Sequence, residues 1–220
     1  MRNVLLTLLS GLAMLLFASC SESEDTNTEY NDWQAKNDAY FEQQYQRALD
    51  SIAVNPTKWK LIKDLSKDAT TEGQHTDYII AHVISQSEEH DECTSPSYAA
   101  SPLYTDSVRV HVRGNLIPSP SYNVSSLSYG AVGYQFDTSW SGNYNTATMI
   151  PAAYQVSGLI DGFSTALQMM HPGDRWEICV PYQLAYKSTE RTSIPAYSVL
   201  VFDLTLHSFI HSGQSFPSFQ

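Results

Sequence analysis

Past Asp77 the chain is written in strands, and a single stretch, Gly162–Met170, changes the hydrophobic period from about 2 to about 3.6. Ser107–Leu116 alternates cleanly, with Val108, Val110 and Val112 on one face and Arg109, His111 and Arg113 on the other. Tyr78–Ile84, a short element opening at Phe136, Arg175–Val180 and Val199–Leu206 also read as strands, the last with Leu200, Phe202, Leu204 and Leu206 on its buried face. In the exceptional stretch Phe163, Ala166, Leu167 and Met170 fall on one helix face. Asp161 suits the positive N-terminal end of that helix, and His171-Pro172-Gly173 stops it. Long polar connections, 117–133 and Ser141–Thr148, separate the strands. This pattern predicts an α+β fold, a mostly antiparallel sheet with one short helix on a face. The polar stretch from Ser208 onward is expected to fray.

The first third has a different character. Arg2, an apolar run from Val4 to Phe17 and the small-residue exit Ala18-Ser19-Cys20 read as a secretory signal over residues 1–19, too short to span a bilayer comfortably. Phe17-Ala18-Ser19-Cys20 resembles a bacterial lipobox, which would make Cys20 a lipidated first residue, followed by an acidic tether over 20–30. The acidic stretch Ser21–Asp25 resembles the tag of surface-exposed lipoproteins, and Ser21 favours the outer membrane by analogy with bacterial sorting. Asn31–Ile52 carries Trp33, Tyr40, Phe41, Tyr45, Ala48, Leu49 and Ile52 at helical spacing, until Asn55-Pro56 breaks the pattern. Trp59, Leu61, Ile62 and Leu65 read as a second short amphipathic piece. The expected division is therefore a helical segment over 31–70, one domain over 71–210 and a tail over 211–220. The helical segment either packs on the domain or joins two subunits into a homodimer through 31–65.

A net charge of -11 with only twelve Lys+Arg excludes a nucleic-acid footprint. Gly-x-Ser-x-Gly, phosphate-cradling glycine loops, His-Glu-x-x-His and Cys-x-x-Cys are all missing from the sequence. Glu88-Glu89-His90-Asp91-Glu92-Cys93 reads as a solvated acidic loop before it reads as a cation site. Cys93 and Cys179 are available to pair in an exported chain, with nothing in their spacing to enforce a bond. No cofactor is expected.

Six segments carry a resemblance. Val108-Arg109-Val110-His111-Val112-Arg113-Gly114-Asn115-Leu116 is similar to V-x-V-H-Y-x-G-x-L, and Phe136-Asp137-Thr138-Ser139 to F-D-S-S. Pro151 to Phe163 follows P-x-x-F-x-L-x-x-V-I-x-G-W, and Met170-His171-Pro172-Gly173 follows M-x-x-G. Val180-Pro181-Tyr182-Gln183-Leu184-Ala185-Tyr186 follows I-P-x-x-L-A-Y, and Ile194-Pro195 with Leu200–Leu204 follows I-P and L-V-F-D-V. In this order the segments resemble the FKBP family of macrolide-binding peptidyl-prolyl cis/trans isomerases, in a bacterial lipoprotein form. The resemblance implies an FKBP-like antiparallel sheet wrapped around one short helix. It implies a proline pocket of Phe136, Tyr154, Leu159, Ile160, Phe163, Ile194 and Phe202, with Asp137 and Tyr186 as polar contacts and the Ile160 backbone as a donor. The implied partners are proline-containing segments of exported proteins, with the chain held at the outer membrane through Cys20 as a foldase.

Three positions depart from the pattern. Val112 stands where the family has Tyr, Phe163 where it has Trp, and Lys187 where it has Gly. These departures imply reduced isomerase activity and weaker macrolide affinity, and they favour a competing reading as a non-catalytic chaperone or binding module. The segment 117–133 is an insertion expected near the pocket mouth. A further reading, a surface nutrient-binding lipoprotein, would place a glycan or small ligand on Tyr122, Tyr129 or Tyr134.

Overall fold

The computed structural model describes residues 28–86 and 100–217. Cys20, Cys93 and the Glu88–Cys93 loop lie outside the described residues. A short 3-10 turn, Thr28–Tyr30, precedes helix α1 (Trp33–Val54). Strands β1 (Trp59–Lys63), β2 (Tyr78–Ser85), β3 (Ser107–Asn115), β4 (Val124–Leu127), β5 (Gly130–Val132), β6 (Gln135–Thr138) and β7 (Ala152–Gln155) follow. Helix α2 (Asp161–Leu167), β8 (Arg175–Val180) and β9 (Leu200–Ile210) complete the order. The main sheet runs β1-β2-β8-β9-β3-β6, with β7 also on β3 and β4-β5 a separate hairpin. Every pairing is antiparallel.

Strand β3 organises the site side of the sheet. One edge pairs along its length with β9, while the other is shared by β7 at Ser107–Val110 and β6 at Arg113–Asn115. Helix α2 lies on the face made by Val110, Val112, Leu204 and Ile178, and its Phe163, Ala166 and Leu167 are fully or nearly fully buried there. Gly162 brings it close, because a Cβ at that position would stand 2.5 Å from Val180 Cγ1.

The opposite face is covered too. Trp33, Asn37, Phe41, Gln44, Tyr45 and Ala48 form the buried stripe of α1. Asn37 Oδ1 accepts the Val199 N–H at 2.7 Å, and Gln44 Nε2 donates to the Tyr129 carbonyl. The Tyr129 hydroxyl lies 3.0 Å from the carbonyls of Ile80 and Glu177, so the β4-β5 hairpin is fastened across β2 and β8. Farther along, the Arg175 guanidinium grips Asp203 through two hydrogen bonds of 2.9 and 2.7 Å and lies over the Tyr144 ring. An antiparallel sheet with both faces buried explains why β9 is buried from Leu200 to Leu206 without a break. It also explains why His111, expected on a polar face, is fully buried.

Several sequence expectations are corrected here. Trp59–Lys63 is a strand, not a helix; it pairs with β2 from Trp59 opposite His82 to Lys63 opposite Tyr78. Residues 208–210 do not fray, because β9 continues opposite Ser107–Arg109 and buries Phe209. The insertion 117–133 holds the hairpin that packs on the sheet face away from α2. Cys179 is buried, and burial pushes its thiol pKa up; its pairing with Cys93 lies outside the described residues.

Candidate functional site: an aromatic cavity under helix α2

Phe202 projects from β9 toward α2 and is the hub of an aromatic cluster. Its ring meets Phe136 of β6 edge to face at 5.7 Å and Phe163 of α2 at 5.0 Å. The cluster depends on Gly114 of β3, where a Cβ would stand 2.6 Å from the Phe136 ring and 3.0 Å from Phe202. A glycine inside a strand is the sequence sign of such a close approach, and the sequence reading passed over it as a site residue.

These rings wall a cavity of about 180 Å³, completed by Val112, Tyr154, Leu159, Ile160, Tyr186, Gly158 and Asp137. Its size is near the roughly 150 Å³ of an engineered apolar cavity that accepts a benzene ring. Val112 supplies a wall without a hydroxyl, and Phe163 supplies the floor. Polar groups are confined to the rim. Asp137 is exposed there, and Tyr154 is half-buried. Burial pushes the Tyr154 phenol up, with the Asp137 carboxylate and Tyr186 adding to the shift, so Tyr154 holds its proton. Ile160 caps the start of α2 in extended conformation; its carbonyl accepts from Phe163 and Ser164. The Ile160 N–H has no acceptor among the described residues.

The loop carrying Tyr186 is held from both ends. Lys187 N donates to the Tyr182 carbonyl at 3.0 Å and Tyr197 N to the Lys187 carbonyl at 2.8 Å. The Arg191 guanidinium lies 4.9 Å from the Tyr186 ring centre. Lys187 sits at φ 57 and Tyr197 at φ 60, both in the left-handed region that favours glycine. The Lys187 departure therefore changes the residue and keeps the backbone turn.

Ile194 is a correction. It does not line this cavity; a tight turn pairing Arg191 with Ile194 tucks it into the core. It contributes instead to a second, more open cavity of about 470 Å³ bounded by Tyr30, Tyr122, Tyr134 and residues 190–196. The insertion contributes Tyr122 to that cavity and nothing to the aromatic one. Tyr129 is excluded as a ligand contact because it is buried with its hydroxyl on backbone carbonyls. Among the described residues no group of three or more His, Cys, Asp or Glu side chains could hold a metal ion. No helix among them is long and apolar enough to cross a membrane.

Comparison with known proteins points the same way as the cavity. Residues 99–207 match the family model of FKBP-type peptidyl-prolyl cis-trans isomerases. The FKBP-type 22 kDa peptidyl-prolyl cis-trans isomerase of Escherichia coli (strain K12) is 35% identical over 108 residues, which are 49% of this chain and 43% of that one. The outer membrane protein MIP of Legionella longbeachae is 53% identical over 36 residues, 16% of each chain. The chain thus spans less than half the length of the curated relatives it matches. The crystal structure of a peptidyl-prolyl cis-trans isomerase from Pseudomonas syringae pv. tomato shares the fold, with a TM-score of 0.50 at 17% identity over 84% of this chain and 98% of that one. Through its residues 99–207, the chain belongs to the FKBP-type peptidyl-prolyl cis-trans isomerase family.

Proposed function

We propose that the aromatic cavity binds a prolyl ring and accelerates rotation about the X-Pro bond before it. The observation that carries this reading is that Phe136, Phe163 and Phe202, from three separate elements, converge on one small apolar cavity whose polar groups all stand at its rim. Rotation must break amide resonance, a barrier of about 20 kcal/mol, and needs no acid, base or nucleophile. The planar amide is charge-separated and is stabilised by water; the twisted amide has lost that separation. A water-poor aromatic wall therefore favours the twisted form over the planar one. In this reading Asp137, the Tyr154 hydroxyl and the Ile160 N–H orient the flanking backbone, so their contribution is positioning rather than proton transfer.

The substrates proposed are proline-containing segments of exported proteins, with the chain acting as a foldase. The signal-like N-terminus and Cys20 support a lipid-anchored location, and the outer-membrane name of one relative supports the envelope. A homodimer through 31–65 would have to use what α1 leaves exposed, since its buried stripe lies on its own sheet; sedimentation of the full chain tests it.

The test is proline isomerisation measured with the full chain on peptides that vary the residue before proline. Acceleration by the wild type is expected, with at least a tenfold loss, about 1.4 kcal/mol of transition-state stabilisation, in Phe136→Ala and Asp137→Ala. Val112, an isopropyl group where the family pattern has a tyrosine phenol, favours the binding-module reading. Proline-peptide binding without any acceleration would establish that reading instead.

A further inference from the structure

The second cavity is built by parts that the aromatic cavity does not use. Tyr30 comes from the turn before α1, Tyr122 from the insertion and Tyr134 from the residue leading into β6. Their mutual fit is fastened on two sides. Glu29 accepts from the Ser119 hydroxyl and from the Ser121 N–H at 3.1 Å, holding the Tyr30 turn against the insertion. Trp33 Nε1 donates to Ser198 Oγ at 2.8 Å, and Ser198 Oγ donates to the Pro195 carbonyl at 2.7 Å, holding the start of α1 against the opposite wall. The Tyr122 and Tyr134 rings meet edge to face at 5.0 Å.

The two cavities share no lining residue but are neighbours. Tyr134 and Phe136 stand two residues apart along the chain, so their Cα atoms lie within about 7 Å of each other, with the irregularity of β6 opposite Gly114–Asn115 between them. Across from them, Arg191 of the second cavity lies over the ring of Tyr186 of the first. An extended polypeptide advances about 6.8 Å over two residues with both side chains on one side, a step comparable to that from Phe136 to Tyr134. Its lining combines phenol rings and the aliphatic Ile194 and Pro195 of the second cavity with the Glu190 and Arg191 side chains. A flat amphipathic ring matches that surface better than an aliphatic or a purely charged group.

We propose that this cavity is a second substrate subsite, taking the aromatic side chain of the residue two positions from the prolyl residue. The proposal rests on the isomerase reading and adds the class of sequence it selects. It also gives the N-terminal turn a place in recognition, since Tyr30 lies outside residues 99–207.

The test uses the full chain and two peptide pairs, each differing only in Trp against Ala, two residues before proline in one pair and two residues after it in the other. NMR exchange spectroscopy gives kcat/KM for each peptide. The expected result is a Trp-over-Ala preference of about two- to tenfold in one pair, the range for an added aromatic contact. That ratio should fall close to one in Tyr122→Ala and in the Tyr30→Ala, Tyr122→Ala double variant. Because the ratio is taken within each variant, a general loss of folded protein does not imitate it. No preference in either pair, or a preference that survives the double variant, overturns the subsite. Failure of the wild type to accelerate even the Ala peptides overturns the isomerase reading instead. The same Trp-over-Ala ratio, read then as calorimetric Kd values, decides the subsite by the same two outcomes.

Discussion

A methyl group at residue 114 would collide with the ring edge of Phe136 before it touched anything else, at 2.6 Å. The ring can swing aside because it is only half-buried, but then it leaves the cavity wall. Gly114→Ala is therefore expected to cost about 1–2 kcal/mol of stability and to lower isomerisation far more than that loss of folded protein explains; comparing denaturant midpoints with kcat/KM checks it. Lys187 presents the reverse case. A non-glycine residue in the left-handed region costs roughly 1–2 kcal/mol, and glycine gives back about 0.5–1 of that as lost chain entropy. Lys187→Gly should then stabilise the fold by about 0.5–1 kcal/mol in a denaturant titration. The exposed Lys187–Asp161 pair, at 3.7 Å, offers little to offset it.

Helix α1, 22 residues and about 33 Å long, is the element on which the two-faced burial of the sheet depends. Phe41 is 3% exposed at the centre of its stripe. Phe41→Ala should cost about 3 kcal/mol and lower the denaturant midpoint without changing the slope, if α1 and the sheet unfold as one unit. The helix itself was readable from the sequence, because 22 residues give the periodicity room to repeat. Five residues do not: Trp59–Lys63 has apolar spacing that fits either state, and only its partner β2 makes it a strand. The aromatic cavity was legible for a different reason. Phe136, Tyr154, Phe163 and Phe202 each lie inside an ordered motif, so family likeness reached what periodicity could not. Ile194 shows the limit of that route, since a four-residue turn decides where its side chain goes. Tyr129 and His111 were opaque because their surroundings come from segments far away in the sequence.

For the molecule as a whole, burying both sheet faces leaves basic rings in the interior. His111 has no hydrogen-bond partner on either ring nitrogen among the described residues, and it faces His207 and the Tyr144 ring, itself under Arg175. Burial holds the pKa values of His111 and His207 below the usual histidine value, with His207 reinforcing the shift at His111 and Arg109 at His207; burial also lowers His82. The unfolded chain thus binds more protons than the folded one below about pH 6.5. Stability is present in full above that pH and drains away as the pH falls through the folded values, by up to about 1.4 kcal/mol per pH unit for the buried His111 ring, less for the partly buried His82 and little for His207, which is solvent-exposed and screened. Thermal unfolding between pH 7.5 and 5 should show this decline, and His111→Leu should make it shallower. A different consequence follows from the fastening of Trp33 to Ser198. A pull applied at Thr28 would load the Glu29 bonds first and then the Trp33–Ser198 link, and through that link the segment 187–198 that carries Lys187 and Tyr197.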